Sequence, residues 1–340
     1  MRIRILISVV VLQLLVLAYM AGEREWIVRY GTVVHLQTAP LDPRDPFRGN
    51  YVRLDYAINH VPATLLRGTL TNAWGAAREA ELRGKPLYAV LQSSDDGITG
   101  LEYVTDRKPA AGLFLRGKLE RYGYSGQGVI PLQYGIEAYF VQEDKAKALE
   151  ERRRRDGIQV PLEMAVAVSG RGVAVLKGHA WSALGIGLQL DSGTLSNRIT
   201  QLRKATVQLV NVSSNDLAVV DLPDAQSLAL ESDALRSWGE RNLTWVMAGK
   251  PRTAVTDADV VVLKPGEQRA ITVDLDLPRW FVTNGPAPAQ ALRELSSGSM
   301  FRLIYRPPSR AACRNLTQAA LIWHGELPSA AFSSGGSRVD

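Results

Sequence analysis

Residues 5–22 read ILISVVVLQLLVLAYMAG, a run without formal charge whose polar side chains are Ser8, Gln13 and the Tyr19 hydroxyl. As an α-helix rising 1.5 Å per residue, this run extends roughly 27 Å, close to the hydrocarbon thickness of a bilayer. Arg2 and Arg4 precede it and charge resumes at Glu23-Arg24-Glu25, an asymmetry that keeps the amino terminus in the cytoplasm. The expectation is a single-pass anchor over residues 1–22 in the inner (cytoplasmic) membrane, with the rest of the chain facing the periplasm or cell exterior. A cleaved secretory signal is the alternative. It wants small residues before the cut, and Tyr19 or Met20 would stand at the third position back. No cysteine follows the run closely, which excludes a lipoprotein anchor.

Outward from that segment, the remaining chain is long enough for two ordinary domains. The 340 residues of the full chain are 46% hydrophobic and 22% charged, the balance of a globular protein. The net charge of +6 is spread along the chain except for Arg152–Arg155, and an exported chain has little access to nucleic acid, so no nucleic-acid partner is expected. Cys313 is the one cysteine, so no internal disulfide can form and packing must supply the stability.

From Trp26 to about Lys177 the pattern is short strands between turn residues. Candidates are Ile27–Leu36, Tyr51–Tyr56, Leu87–Leu91, Leu113–Leu119 and Tyr134–Val141, with hairpin turns at Asp95-Asp96-Gly97 and Ser169–Gly172. Helices are expected over Leu70–Arg83 and Gln142–Arg155, the second with acid at its start, arginines at its end and Gly157 as its stop. After His179 seven strand candidates follow: Ala205–Val212, Leu217–Leu222, Thr244–Met247, Val260–Leu263, Ala270–Leu275, Phe301–Tyr305 and Ala319–His324. Seven short strands spaced by turns predict an immunoglobulin-like antiparallel β-sandwich. Gly185–Ser196 reads as a linker or a first strand. The expected organisation is an anchor (1–22), an α+β domain (23–180), a β-sandwich (181–332) and a loose tail (333–340).

Residues 42–56, DPRDPFRGNYVRLDY, carry the one recognisable motif. Two Asp-Pro turns feed a glycine and then a strand. With period two, Val52, Leu54 and Tyr56 share one face while Tyr51, Arg53 and Asp55 share the other. On Gly49, Asn50, Tyr51, Leu54 and Tyr56 this segment resembles the GDYXXLXY family, and the resemblance extends through Tyr134, Glu137 and Tyr139-Phe140-Val141, over roughly residues 1–178. Asn50 stands where the family has Asp. The resemblance implies a membrane-anchored protein without established activity, associated with polytopic membrane proteins. Two readings of the motif stand side by side. In one, Asp42, Asp45, Arg48, Tyr51 and Arg53 form a binding edge. In the other, glycine, tyrosine and leucine fix the strand's register, and this structural reading has the better physical support.

Motifs for catalysis are missing from the sequence. His35, His60, His179 and His324 lie far apart with no H-E-x-x-H, so no metal site is expected. No G-x-S-x-G, serine–lysine spacing or P-loop occurs, and Gly185-Ile-Gly187 lacks the third glycine of a dinucleotide fingerprint, so no cofactor is expected either. Asp274 and Asp276 alternate with Ile271, Val273 and Leu275 and should face solvent. Trp238, Trp245, Trp280 and Trp323 would make a glycan platform if exposed in a row, and core packing if not. The expected function is therefore non-catalytic: an anchored, periplasm-facing protein that binds or supports an envelope or integral-membrane partner. The alternatives are a glycan-binding module and an envelope hydrolase whose site assembles only in the fold.

Overall fold

The computed structural model describes residues 2–39, 51–71, 80–93, 98–119, 129–140, 154–155, 157–194, 200–233, 237, 243–246 and 254–339. Its N-terminal helix, α1, spans Arg2–Tyr30, and its Arg4–Tyr30 part is long and apolar enough to cross a membrane. The side chains from Arg4 to Trp26 are exposed. The strand expected from Ile27 begins instead at Thr32, because the helix runs on past the apolar segment. Glu25 and Arg29 pair at 2.6 Å across one turn, and Ile27 is buried against the strands Leu162–Val168 and Ala174–Trp181. Burial of Ile27 at the sheet stabilises the last turns more than the β-propensity of Ile-Val destabilises them.

Gly31 ends the helix. Its N–H donates to the Ile27 carbonyl at 2.8 Å, and a Cβ there would lie 2.5 Å from that oxygen and 3.0 Å from the Val168 carbonyl. Only a residue without a side chain lets helix and sheet approach this closely.

The strand Thr32–Ala39 then pairs antiparallel with Leu162–Val168, which pairs with Ala174–Trp181 through the expected turn at Ser169–Gly172. Asp55–Tyr56 completes this four-stranded sheet. A five-stranded sheet orders His60–Pro62, Val129–Gln133, Phe114–Leu119, Leu87–Ser93 and Thr99–Thr105. Strand alternation places Leu36, Met164 and Val166 of the first sheet in one hydrophobic core with Leu87, Leu115 and Ile130 of the second.

A second core begins at Leu184 and has no residue in common with the first. Gly185–Ser196, read as linker or first strand, contributes to the strand Leu184–Thr194, which pairs with Thr200–Asn211, which pairs in turn with Gln268–Asp274. Leu188, Val207 and Ile271 from this sheet share the core with Leu230, Phe301 and Phe332 from a sheet built on Leu228–Ser232, Met300–Tyr305 and Ala331–Ser333. Every pairing of named strands is antiparallel. The chain is β-rich, with an exposed apolar helix at its start.

Three expectations are corrected. Arg154–Arg155, read as a helix end, is a strand that folds back on Ile158–Gln159 around Gly157 at φ +78°. A glycine in this conformation serves a hairpin as readily as a helix stop. Ala319–His324, read as a strand, starts as a 3₁₀ turn at Ala319–Leu321, and its apolar residues cover a small third core with Cys313. The tail is held rather than loose: Arg338–Val339 pairs with Ala331–Phe332, Ser334 is buried, and Arg338 donates to the Leu188 and Gly157 carbonyls. Of the helix expected over 70–83, Leu70 sits in a 3₁₀ turn and 80–82 are helical. Its residues 72–79, residues 142–153 of the second helix, and the Asp95–Gly97 turn lie outside the described residues.

Candidate functional site

The motif segment and the 134–141 segment, far apart in sequence, meet. Tyr51, Val52 and Arg53 pair with Phe140, Tyr139 and Ala138, and the Leu54 N–H donates to the Glu137 carbonyl at 2.7 Å. Beyond this seam the chain continues into a buried hydrogen-bonded knot. Tyr56 is fully buried and its hydroxyl donates to the Ile136 carbonyl at 3.0 Å. Tyr134 answers in the opposite direction, its hydroxyl donating to the Ile58 carbonyl at 2.8 Å. The Glu137 carboxylate accepts from the backbone N–H groups of Tyr134 and Gly135 and from Asn59 Nδ2. Asn59 also donates to the Leu132 carbonyl and accepts from the Tyr56 N–H. Burial, reinforced by the nearby Glu137 charge, pushes both tyrosine hydroxyls far above their ordinary ionisation range, so both stay protonated donors.

Of the residues singled out in the sequence, the structure brings Tyr51, Arg53, Asp55, Tyr56, Tyr134 and Glu137 together. Asp42, Asp45, Arg48, Gly49 and Asn50 lie outside the described residues, as do the side chains of Tyr51 and Arg53. Leu54 and Tyr56 point into the core, as the period-two reading predicts, while Asp55 is half-buried and meets His60 Nε2 at 2.9 Å. Asn59 and His60 were missed. The signal for Asn59 was its position three residues after Tyr56, the spacing at which an Asn side chain caps the backbone behind it. The knot gives the motif a folding role: each tyrosine ties a carbonyl in the other segment, and the carboxylate ties both ends of the turn.

A second feature lies in the distal sheets. A groove of about 1020 Å³ runs along the Gln268–Asp274 strand between the turns Pro223–Ala225 and Pro278–Trp280. Asp224 and Ala225 both take left-handed backbone, at φ +57° and +53°. Non-glycine residues adopt this conformation at a cost, so the surrounding fold must hold the turn in place. Across the groove the Arg279 guanidinium lies over the indoles of Trp245 and Trp280, 5.7 and 5.5 Å from their centroids. Desolvation lowers the ionisation range of Arg279, opposed by the charge of Asp224. Its Nε is buried without a hydrogen-bond partner among the described residues.

The strand flooring this groove is an edge. The Leu275 N–H donates to the Arg203 carbonyl at 2.9 Å and the Asn211 N–H to the Glu267 carbonyl at 3.0 Å. Odd-numbered residues therefore turn their backbone groups toward the 200–211 strand, and Ala270 and Thr272 turn theirs away. Among the described residues no strand pairs with that outer side. Ala270 and Thr272 are exposed, while Ile271 and Val273 are buried.

Among the described residues the carboxyl-half tryptophans do not form an exposed row. Trp280 is buried and stacks with half-buried Trp245 at 5.8 Å, and Trp323 stacks on buried Tyr305 at 6.1 Å, so these rings serve the cores. Trp238 lies outside the described residues. Asp274 and Asp276 are half-buried rather than fully solvated, Asp276 by pairing with Arg293.

An exposed apolar helix passing without a linker into a β-rich body defines a class: β-structured bodies carried on one helix long enough to cross a membrane. Residues 13–178 match the family model described as GDYXXLXY protein, the family that the motif residues resemble. Residues 179–340 fall outside the match. Comparison with curated proteins and with solved structures gives no match.

Proposed function

We propose that this is a membrane-anchored, non-catalytic adaptor of the bacterial envelope, facing the periplasm, whose distal body engages an integral-membrane or envelope protein. The observation that carries this reading is the outer side of the 268–274 strand, unpaired among the described residues and lying at the floor of a groove, on a body borne by an exposed apolar helix. An extended segment of a partner can add to such an edge through backbone hydrogen bonds, with Ala270 and Thr272 supplying donors and acceptors that no described strand takes up. The two separate cores support division into two domains near residue 181. The facing antiparallel sheets of the second support an immunoglobulin-like sandwich, a fold that displays edges and loops for recognition. Arg2 and Arg4 ahead of the apolar run support the cytoplasmic placement of the amino terminus.

The test is photocrosslinking of the full-length protein in native membranes, with a benzophenone side chain at position 270 and, as control, at exposed Val262 outside the groove. A discrete adduct from position 270 alone is expected, and Ala270→Lys at matched abundance should abolish binding of the same partner. Equal diffuse labelling from both positions would sink the adaptor reading and bring glycan binding and hydrolysis forward.

A further inference from the structure

Among the described residues outside the apolar run of α1, the large hydrophobic side chains left exposed are few: Trp26, Tyr30, Val33, Val262 and Leu277. Three of these five lie together where the helix meets the sheet. Trp26 and Tyr30 are one helical turn apart, two-thirds exposed, with ring centroids 4.4 Å from one another. Cα–Cβ bonds on a helix tilt toward its N-terminus, so both rings lean back toward the apolar run. Trp26 follows the end of that run at Gly22 by about 6 Å along the axis. An amphipathic ring at that height meets the layer where acyl chains give way to headgroups, the region in which Trp and Tyr concentrate.

We propose that Trp26, with Tyr30 against it, is a lipid-binding collar that seats the β-rich body at the bilayer surface. The proposal rests on α1 spanning the membrane. Its occupant is the headgroup–acyl boundary of the lipid, argued from the direct continuity of the pair with the apolar helix. The adjoining turn makes the collar a height gauge. Ile27, between the two aromatic residues in sequence, is buried against the 162–168 and 174–181 strands, so helix and body move together there. The depth at which Trp26 settles thereby sets how far the body stands off the membrane.

The test uses full-length protein reconstituted into phosphatidylcholine vesicles in which part of the lipid is brominated high on one acyl chain, compared with Trp26→Phe. Flotation of the vesicles reports anchoring separately. Expected is co-flotation of both proteins, with bromine quenching of indole emission in the parent and its near-complete loss in Trp26→Phe. Since Trp26 is exposed, the substitution leaves the cores intact. Co-flotation with the same quenched fraction in both proteins would overturn the collar and leave the anchor standing. Failure to float would overturn both.

Discussion

Tyr56 and Tyr134 show how little of a motif's meaning lies in its exposed atoms. Each hydroxyl is buried and each donates to a carbonyl in the other segment, so the motif's tyrosines act as cross-ties. Tyr56→Phe keeps the ring and orphans the Ile136 carbonyl; a loss of about 1–2 kcal/mol is expected in urea unfolding. Binding of a partner should be unchanged in the folded fraction, which separates this role from a recognition edge. Asp106, half-buried at the end of the Thr99–Thr105 strand, offers a pH signature. Burial pushes its carboxyl up, but hydrogen bonds from Thr69 and the charge of Arg107 outweigh that and hold it below the usual range. The unfolded chain then binds more protons in that window, so the contribution is full at neutral pH and is lost as pH falls through the folded value. Stability curves of the parent and Asp106→Asn should therefore converge as the solution is acidified.

At the scale of elements, the strands with alternating apolar residues were legible, and Ile271, Val273 and Leu275 point inward as their spacing says. The failures have physical causes. Ile27-Val28 has β-branched residues that favour a strand, yet tertiary burial of Ile27 keeps it helical. Gly157 punctuates without saying which element it ends. The open edge of the 268–274 strand had no signature, since its freedom depends on which strands stand beside it. Neither did the Arg279 stack, whose partners lie 34 residues apart or next door in sequence. Gly31 makes the sharpest element-level prediction. A methyl there would press on the Ile27 and Val168 carbonyls, so Gly31→Ala should loosen the helix–sheet joint, seen as faster amide exchange at Ile27–Thr32 with the distal strands unaffected.

Across the whole molecule, two large hydrophobic cores divide between Trp181 and Leu184, with Trp181 packed on the first and Leu184 in the second. If each core unfolds as its own unit, Leu115→Ala should lower one denaturation midpoint and Leu209→Ala the other, each through a loss of about 2–5 kcal/mol of that unit's stability. A single shared transition, shifted by both variants alike, would contradict the two-domain proposal. The apolar run was plain in the sequence. What it could not reveal was that the helix carries on to Tyr30 and docks, because docking depends on strands more than 130 residues away in the chain. That unbroken junction gives the body a helical phase. Adding one alanine between Arg24 and Glu25 would turn everything beyond it by about 100° about the axis of α1. Seven added residues would return it nearly to its original facing while lifting it by about 10 Å. Under the proposed anchoring, a partner fixed in the same bilayer would thus sense the number of residues between apolar run and sheet as an angle before sensing it as a distance.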